Sequence, residues 1–369
     1  MKILRSLLLA GSAALLTGHV WAEPQAPDPL LVKDEPRKLE GHAKDKVVAA
    51  VAISPDGRLL ASAAQDGYVI VWELGTGKAL RKLEGVGDQA YAVAFSPDGS
   101  LLAAAGMGTD IKLWKVGSWQ ELATLKGHKE SVPCLAFSPD GTLLASGGYD
   151  GTVRLWVMPS GELKHRLTGH EGRITGLAFS PDGKVLASGG TGVTEVAGIS
   201  ICQSDRVRLW DVPGGKLLRT LEARADRVAY SPDGRTLGLA QGDHVEVYRV
   251  PKGGKPKGQI RINDIQIDAY AVVRLLDAPS GREFFTAPSR GREIVFSPDG
   301  RTFALGQGIG FHQQGTTING GPYANDYRLS VWETATQTEL FRFGDEYANC
   351  FAFAPDRQFV IWGTRQARC

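Results

Sequence analysis

The sequence contains few cysteines, and their spacing is not that of a metal or haem site. Four are present among 369 residues: Cys134, Cys202, Cys350 and Cys369. Because no C-x-x-C pair occurs, neither a zinc site nor haem attachment is predicted. Cys134 and Cys350 each lie four residues before the turn motif described below, so we expect them to be equivalent, buried and free. The spacing leaves open whether Cys202 or Cys369 forms a disulfide.

A hydrophobic run long enough to cross a membrane is also missing. The apolar stretch Leu7–Leu16 is about half of the roughly 20 residues that a spanning helix needs. It follows the basic residues Lys2 and Arg5 and precedes a small-residue site at Ala22, which is typical of a secretory signal. We therefore expect 1–22 to be a cleaved signal peptide and 23–34 an N-terminal extension. The mature protein is then periplasmic or secreted, without stable membrane insertion.

Neither sign of charge is in excess. The chain has 42 Lys and Arg residues against 40 Asp and Glu, and loss of the signal removes two positive charges and no negative one. No basic stripe indicates a nucleic-acid partner, and no acidic tail indicates a basic one. We expect no binding of nucleic acid.

Catalytic and nucleotide-binding motifs are absent as well. The sequence has no G-x-S-x-G element and no zinc-binding His pair. The glycines between positions 306 and 310 are not followed by a helix pattern, so a phosphate cradle is not supported. No catalytic residue, metal ligand or cofactor site is predicted. No segment has sustained helical periodicity, which excludes helical repeat folds.

What the sequence does contain is a repeated turn. The tetrapeptide Ser-Pro-Asp-Gly begins at Ser54, Ser96, Ser138, Ser180, Ser231 and Ser297, and a decayed copy spans Ala354–Arg357. Proline fixes φ, and Asp and Gly favour the turn that follows. Short apolar runs flank each copy, and the first four copies are 42 residues apart. This period predicts an all-β protein, a β-propeller of four-stranded blades.

Seven turns favour seven blades. Eight is an alternative. The fifth and sixth copies start 66 residues apart, and this interval holds two candidate third strands, Val245–Tyr248 and Val272–Asp277. The last unit has only two strands, so we expect the propeller to be closed from the N-terminus. Arg37–Glu40 would supply the outer strand and Leu30–Val32 the third strand. The alternative is that the chain is a fragment of a longer protein.

Two further signals recur in phase with the turn. Gly-His pairs begin units at Gly41, Gly127 and Gly169, and tryptophans end them at Trp72, Trp114, Trp156, Trp210 and Trp332. Over residues 35–369 the chain therefore resembles the WD-repeat (tryptophan-aspartate repeat) β-propellers, in a bacterial exported form.

The resemblance implies one hydrogen-bonded set of His, Ser, Asp and Trp per blade. Carried over by position, the sets are His42, Ser62, Asp66 and Trp72; His128, Ser146, Asp150 and Trp156; and His170, Ser188 and Trp210, with Asp205 displaced by an insertion. The second unit has Val86 in place of the His and is expected to keep Asp110 and Trp114. Because the set recurs once per blade, we interpret it as structural rather than catalytic.

Two long insertions fall between second and third strands, at Thr191–Asp205 and about Gln307–Tyr327. The resemblance places both on one face near the central channel. The second carries the candidate partner-binding residues Phe311, His312, Gln313 and Tyr323. The alternatives are a tolerated insertion without a role, and a metal site at His312 with Asn319 or Asp326.

These observations predict a non-enzymatic scaffold or interaction module of the cell envelope, a monomer with a protein or peptide partner. One alternative is a propeller enzyme, lactonase-like or quinoprotein-like. It would need charged residues in the first strands, which line the channel, and these strands read mainly as Val, Ala, Leu and Phe. Others are a sensor or accessory domain of a larger envelope assembly, and a propeller resembling the Tol translocation protein.

Overall fold

The computed structural model describes residues 2–5, 37–44, 46–196, 199–241, 246–249, 272–288, 293–306, 329–343, 350–355 and 359–363. All its regular elements are β-strands. In this part of the chain, no helix is both long and apolar enough to cross a bilayer.

Thirty strands, numbered in chain order, form the sheets. Two lie near the N-terminus: β1 (Lys2–Arg5) and β2 (Arg37–Lys38). Blade 1 contains β3 (Val48–Ile53), β4 (Leu59–Ala64), β5 (Val69–Glu73) and β6 (Lys78–Leu83). Blade 2 contains β7 (Ala90–Phe95), β8 (Leu101–Gly106), β9 (Ile111–Lys115) and β10 (Glu121–Leu125). Blade 3 contains β11 (Cys134–Phe137), β12 (Leu143–Gly147), β13 (Val153–Val157) and β14 (Glu162–Leu167).

The later blades carry additions. Blade 4 contains β15 (Arg173–Phe179), β16 (Val185–Val196), β17 (Ile199–Ser204), β18 (Arg206–Asp211) and β19 (Lys216–Arg224). The fifth repeat contains β20 (Arg227–Tyr230), β21 (Thr236–Gln241), β22 (Glu246–Arg249), β23 (Val272–Asp277) and β24 (Glu283–Pro288). Blade 6 contains β25 (Glu293–Phe296), β26 (Thr302–Gly306), β27 (Leu329–Glu333) and β28 (Glu339–Phe343). The last strands are β29 (Cys350–Phe353) and β30 (Phe359–Gly363).

Each blade is an antiparallel meander with one register. The second-strand residue that pairs with the residue before the turn also pairs with the third-strand Trp, as Leu60 does with Trp72 and Leu144 with Trp156. In the fifth repeat, Leu276 occupies the position of this Trp. Second strands are almost wholly buried. The core lies between neighbouring blades, where side chains of adjacent sheets pack together. The first strands contact one another from blade to blade and so lie innermost.

The Ser-Pro-Asp-Gly turn joins each first strand to its second. Ser54 Oγ accepts the Leu59 N–H at 2.9 Å, and Asp56 accepts the Arg58 N–H at 3.0 Å. Gly57 has φ of 70°, in the left-handed region that glycine tolerates best. These local bonds fix where the first strand ends, so they set the register of the hairpin.

Within the ranges that the structure describes, six blades are built from contiguous chain, not the seven predicted. A further four-stranded sheet has the order β2–β1–β30–β29 and draws on both chain ends. Its outer strand, Arg37–Lys38, falls where the sequence analysis placed one. Its third strand is Lys2–Arg5 rather than Leu30–Val32, which lies outside the described residues. The strand propensity of Leu30–Val32 does not determine which segment of the chain pairs with β30.

The long interval after Ser231 does not add an eighth blade among the described residues. Blade 5 is the sheet β20–β21–β23–β24, and Val272–Asp277 is its third strand, paired with β21. The other candidate, now β22, leaves that blade and pairs with β17 of the neighbouring one. Both candidates are strands, and only one of them fits the free edge of β21.

Candidate partner-binding face

Two connections meet at one end of each blade. One leads from the outer strand of the preceding blade to the first strand, and the other joins the second strand to the third. We call this end the tetrad face, because the four-residue sets lie there. In blade 3, His128 Nε2 is 2.8 Å from Ser146 Oγ, and Trp156 Nε1 donates to the same oxygen at 2.8 Å. His128 Nδ1 is 3.2 Å from each carboxylate oxygen of Asp150.

The bonding capacities of these groups assign the protons. Trp156 N–H donates to Ser146, the Ser146 hydroxyl donates to His128 Nε2, and His128 Nδ1–H donates to Asp150. Burial lowers the pKa of His128 and holds the ring neutral, although the charge of Asp150 opposes this. Asp150 also accepts the Lys129 N–H at 2.9 Å, which ties the loop before the first strand to the turn before the third.

Blade 1 repeats this geometry. His42 Nε2 lies 2.7 Å from Ser62 Oγ, Trp72 Nε1 donates to that oxygen at 2.9 Å, and Asp66 accepts from His42 at 3.0 Å. The Asp66 pKa is lowered. Burial opposes its ionisation, but hydrogen bonds from His42 and the Ala43 N–H outweigh burial.

In blade 4 the structure brings together His170, Ser188, Trp210 and the displaced Asp205. The ring nitrogens of His170 lie 2.6 Å from Ser188 Oγ and 2.7 Å from Asp205 Oδ2, and Trp210 donates to Ser188 at 2.7 Å. Arg208 adds a 2.9 Å ion pair with Asp205. The pKa of Asp205 is strongly lowered. Burial would raise it, but the hydrogen bond from His170, the Arg206 N–H and the charge of Arg208 lower it more. Burial lowers the pKa of His170, so the ring is neutral.

Blade 2 lacks this set. Val86 is buried in the His position, and Ala104 stands where blade 3 has Ser146. The prediction that Asp110 keeps the acidic position is wrong. Ala104 pairs with Lys112, so the position four residues before Lys112 is Gly108, whose N–H donates to the Val86 carbonyl at 3.3 Å. A backbone hydrogen bond thus joins the same two loops.

An extended sheet stands on the tetrad face at blade 4. The strand β16 pairs with β18 from Val185 to Ser188 and then continues beyond the blade, where Thr191 to Val196 pair with β17. The strand β22, from the insertion in blade 5, pairs with β17 along its other edge. Insertions of two blades thus build one three-stranded structure. Its base is fixed by the blade 4 set, because Asp205 directly follows β17 and its N–H donates to Gly190 O at 2.6 Å.

Charged side chains lie beside it, in first strands at the channel. Arg227 Nε donates to Glu293 Oε2 at 3.1 Å, and its guanidinium also donates to the Thr175 carbonyl. The three residues belong to blades 5, 6 and 4. Both charged side chains are about three-quarters buried, with 22% and 24% of their surfaces exposed. Although burial opposes the charge of Arg227, Glu293 raises its pKa.

Arg173 and Tyr149 add a cation and an aromatic ring at the same end of the channel. The Arg173 guanidinium carbon lies 4.6 Å from the ring centroid of Tyr149, which directly precedes Asp150. Burial raises the pKa of Tyr149. An exposed arginine on an aromatic ring is a common contact for partner proteins.

The expectation that first strands lack charge is therefore wrong for blades 4 to 6. Sequence reasoning missed Arg227 and Glu293, although a signal was present. Each lies four residues before its turn serine, as Cys134 does. In blade 4 this position is Gly176, where a side chain would meet the Arg227 backbone. A small residue at this position in one blade leaves room for a long side chain at the equivalent position of another blade.

Cys350 is buried, as expected, whereas Cys134 is free but partly exposed rather than buried. The Cys134 sulfur is 3.7 Å from the Ile174 carbonyl, and burial raises its pKa to about 12. Such a thiol is unreactive at neutral pH.

The predicted loop Gln307–Tyr327, with Phe311, His312, Gln313 and Tyr323, lies outside the described residues. So do Asn319, Asp326 and Cys369. Among the described residues, no group of three or more His, Cys, Asp or Glu side chains has the arrangement of a metal site.

The first four repeats match a known protein family. The family model described as "WD domain, G-beta repeat" matches residues 33–73, 77–115, 119–157 and 161–211. Among curated proteins, the small ribosomal subunit protein RACK1y of Oryza sativa subsp. japonica is 53% identical over 47 residues, 13% of each chain. The small ribosomal subunit protein RACK1z of Arabidopsis thaliana is 50% identical over 46 residues, 12% of this chain and 14% of its own. The matches cover about one-seventh of these relatives or less.

Proposed function

Because this chain belongs to the WD-repeat propeller family, we propose that it is a non-enzymatic scaffold of the cell envelope that binds a protein or peptide partner on its tetrad face. Propellers of this family are typically protein-interaction scaffolds. The observation that carries the proposal is the three-stranded sheet β16–β17–β22, which insertions of two blades build on one face. Insertions that pair with each other form a defined surface that a partner can recognise.

The rigid support beneath the extended sheet favours the proposal that a partner binds there. The extended sheet stands on the hydrogen-bonded set of blade 4 and beside the ion pair of Arg227 and Glu293, which joins blades 5 and 6. A preorganised surface loses less conformational entropy on binding than a loose loop does. The Arg173–Tyr149 pair would contribute contacts at the channel, and we include the loop Gln307–Tyr327 with its four candidate residues in the same face.

The compartment is part of the proposal. We infer a periplasmic or secreted monomer from the basic start, short apolar stretch and small-residue site in 1–22. The short matches to ribosomal-subunit relatives transfer no partner to this chain, because they cover 47 and 46 of its residues.

We also propose that the sheet of both chain ends closes the ring between blade 6 and blade 1. Three observations support this. The strand β29 contacts β25 and β3, the first strands on either side. Leu39 and Ile361 pack with Trp72 of blade 1. A Cβ placed on Gly57 would lie 4.0 Å from Pro355, and the corresponding distance from Gly99 to Pro55 is 3.5 Å.

The partner proposal is tested by removing the extended hairpin. Replacement of Val193–Cys202 by Asn-Gly would join the strands through a two-residue turn and remove the strand that pairs with β22. A partner captured from envelope extract is identified, and its Kd is then measured by calorimetry. We expect the shortened protein to bind at least about tenfold more weakly, which is ~1.4 kcal/mol, with an unchanged circular dichroism spectrum.

The matched control lies on the opposite face. Arg58→Ala with Lys184→Ala changes two exposed side chains beside Ser-Pro-Asp-Gly turns and should leave the Kd unchanged. Equal affinity of the shortened and intact proteins, or loss of affinity in the control alone, would contradict binding on the tetrad face. Replacement of Gln307–Tyr327 by a short turn tests the second loop in the same assay.

A further inference from the structure

Blades 2 to 5 each carry a cation two residues before the Trp position of the third strand. These cations are Lys112, Arg154, Arg208 and Arg274. Three of them have an acidic partner: Lys112 with Glu121 at 2.6 Å, Arg208 with Asp205 at 2.9 Å, and Arg274 with Glu283 at 3.5 Å. Arg154 is 6% exposed, and its Nε is buried without a hydrogen-bond partner. Within the described ranges, its guanidinium forms neither a hydrogen bond nor an ion pair.

The outer strand explains why Arg154 lacks a partner. In blades 2 and 5 the acidic partner lies opposite the Trp position, as Glu121 lies opposite Trp114. In blade 3 the residue opposite Trp156 is Leu163, which is 41% exposed. A buried guanidinium without an acceptor is costly, because its lost hydration is not replaced. Blade 3 is therefore short of one negatively charged group beside Arg154.

A second cation lies directly opposite the first. Arg166 of β14 pairs with Arg154, whereas blades 2 and 4 have Thr124 and Thr220 in this place. Like charges opposite each other on a sheet are unfavourable. Burial lowers the pKa of Arg154, Asp150 opposes this, and Arg166 adds to the lowering. The guanidinium remains charged at neutral pH, so the two cations create a local excess of positive charge.

The loop above Arg154 leaves its end uncovered. A Cβ placed on Gly127 would lie 2.2 Å from Arg154 Nη1, so any other residue there would cover this nitrogen. The φ of Gly127 is 152°, which side chains rarely adopt. The same loop carries the exposed cations Lys126 and Lys129 and one exposed acid, Glu130. Its net charge is positive and favours an anion.

We propose that Arg154 and Arg166 form a binding site for a small oxyanion, a phosphate or a carboxylate, on the face of blade 3 beneath Gly127. The terminal nitrogens of Arg154 would donate to two oxygens of the anion, a geometry that guanidinium groups favour. Arg166 supplies the second positive charge. The anion would stand in for the carboxylate that Glu121 provides in blade 2. Binding of this anion does not depend on a partner protein.

An NMR titration of the full chain tests the site and identifies the source of the oxyanion. The probes are sodium phosphate and a blocked Gly-Glu-Gly tripeptide, each added at constant ionic strength. We expect the Gly127 and Lys129 amide resonances to shift and saturate with a Kd of about 1 mM or lower for at least one probe. The Gly41 amide is the internal reference, because Ile70 replaces the arginine in blade 1. Tighter binding of one probe identifies a free phosphate or a peptide carboxylate as the ligand.

Two matched pairs of variants locate the charge. Arg166→Gln changes an exposed residue and should weaken binding at least about tenfold. Lys82→Gln, at the same register position of blade 1, should leave the Kd unchanged. Leu163→Glu gives blade 3 the carboxylate that blades 2 and 5 have, so we expect it to occupy Arg154 and also to weaken binding at least about tenfold. Leu163→Gln is its uncharged control and should bind as the unchanged protein does.

Several results would overturn the proposal. They are the absence of a saturating shift at Gly127 with both probes, an equal shift at Gly41, and undiminished binding by the Arg166→Gln protein. Equal affinity of the Leu163→Glu and Leu163→Gln proteins would also contradict it. The titration uses no partner, and the hairpin removed in the partner experiment belongs to blade 4. Failure of the oxyanion site and failure of partner binding are therefore observed separately.

Discussion

Blades 2 and 3 are neighbours with the same strand register, but only blade 3 contains the His-Ser-Asp-Trp set. Leu102 pairs with Trp114 as Leu144 pairs with Trp156. Blade 3 joins its loops through His128 and Asp150, whereas blade 2 does so through the Gly108 N–H and the Val86 carbonyl. The apolar pattern and the turn are therefore sufficient for a blade. The polar set fixes the loops of the face on which we place the partner.

The largest effect is expected at Ser146, which bonds both Trp156 and His128. Ser146→Ala leaves two buried polar groups without this partner, so we expect the free energy of unfolding to fall by about 3 kcal/mol. Urea denaturation measures this. Ser160→Ala, at an exposed turn of the same blade, is the control and should change stability by less than about 0.5 kcal/mol. A loss at Ser146 as small as the control's would show that the set does not stabilise blade 3.

A second variant gives blade 3 the residues that blade 2 has at two positions of the set. His128→Val combined with Ser146→Ala reproduces Val86 and Ala104. The two residues bond each other, so the double variant should lose less stability than the sum of the single ones, by on the order of 1 kcal/mol. Denaturation of all four proteins in the cycle measures the coupling. Additive losses would indicate that the bond between the two side chains contributes nothing.

The buried histidines of the polar sets also predict that the stability of the protein depends on pH. Burial lowers the folded-state pKa of His128 and His170, so the unfolded chain binds protons more readily at these sites. Stability contributed by the neutral rings is present above the unfolded pKa of about 6.5 and is lost as pH falls below it. Between about pH 8 and pH 5 the denaturation midpoint should decrease. The variant with His128→Val and His170→Val should show a flatter profile, and an equally steep one would contradict this assignment.

The smallest effect concerns the turn between third and outer strands. Gln337 has φ of 60°, where Gly77, Gly161 and Gly281 have φ of 70–74° in other blades. A non-glycine residue is strained there. Gln337→Gly should therefore stabilise the protein by about 0.5 kcal/mol, after the entropy cost of glycine is subtracted. Gly77→Gln is the reverse control in blade 1 and should destabilise. Thermal denaturation of both variants measures the difference, and destabilisation by Gln337→Gly would contradict the strain argument.

Much of the blade architecture could be predicted from local sequence, and the exceptions have a common origin. Ser54, Pro55 and Asp56 define a turn through bonds within five residues, so the turn can be predicted without knowledge of the fold. Asp110 was assigned by its residue type, yet the register places Gly108 in the acidic position. Arg227 and Glu293 were overlooked because their pairing depends on the lateral approach of blades 5 and 6. Asp205 is displaced in the sequence by an insertion, and it was the structure that brought it to His170.

The sequence by itself determined the turns and the strands that recur with them, because each depends on residues close together in one repeat. The family resemblance added the three polar sets, which occupy equivalent positions of the repeat. Only the tertiary structure decided which distant segments pair. It paired β22 with β17 rather than with its own blade, and it put Lys2–Arg5 beside β30. The reason is that hydrogen-bonding capacity is the same along every strand edge. Which edge is free, and which segment can reach it, depends on how the blades pack.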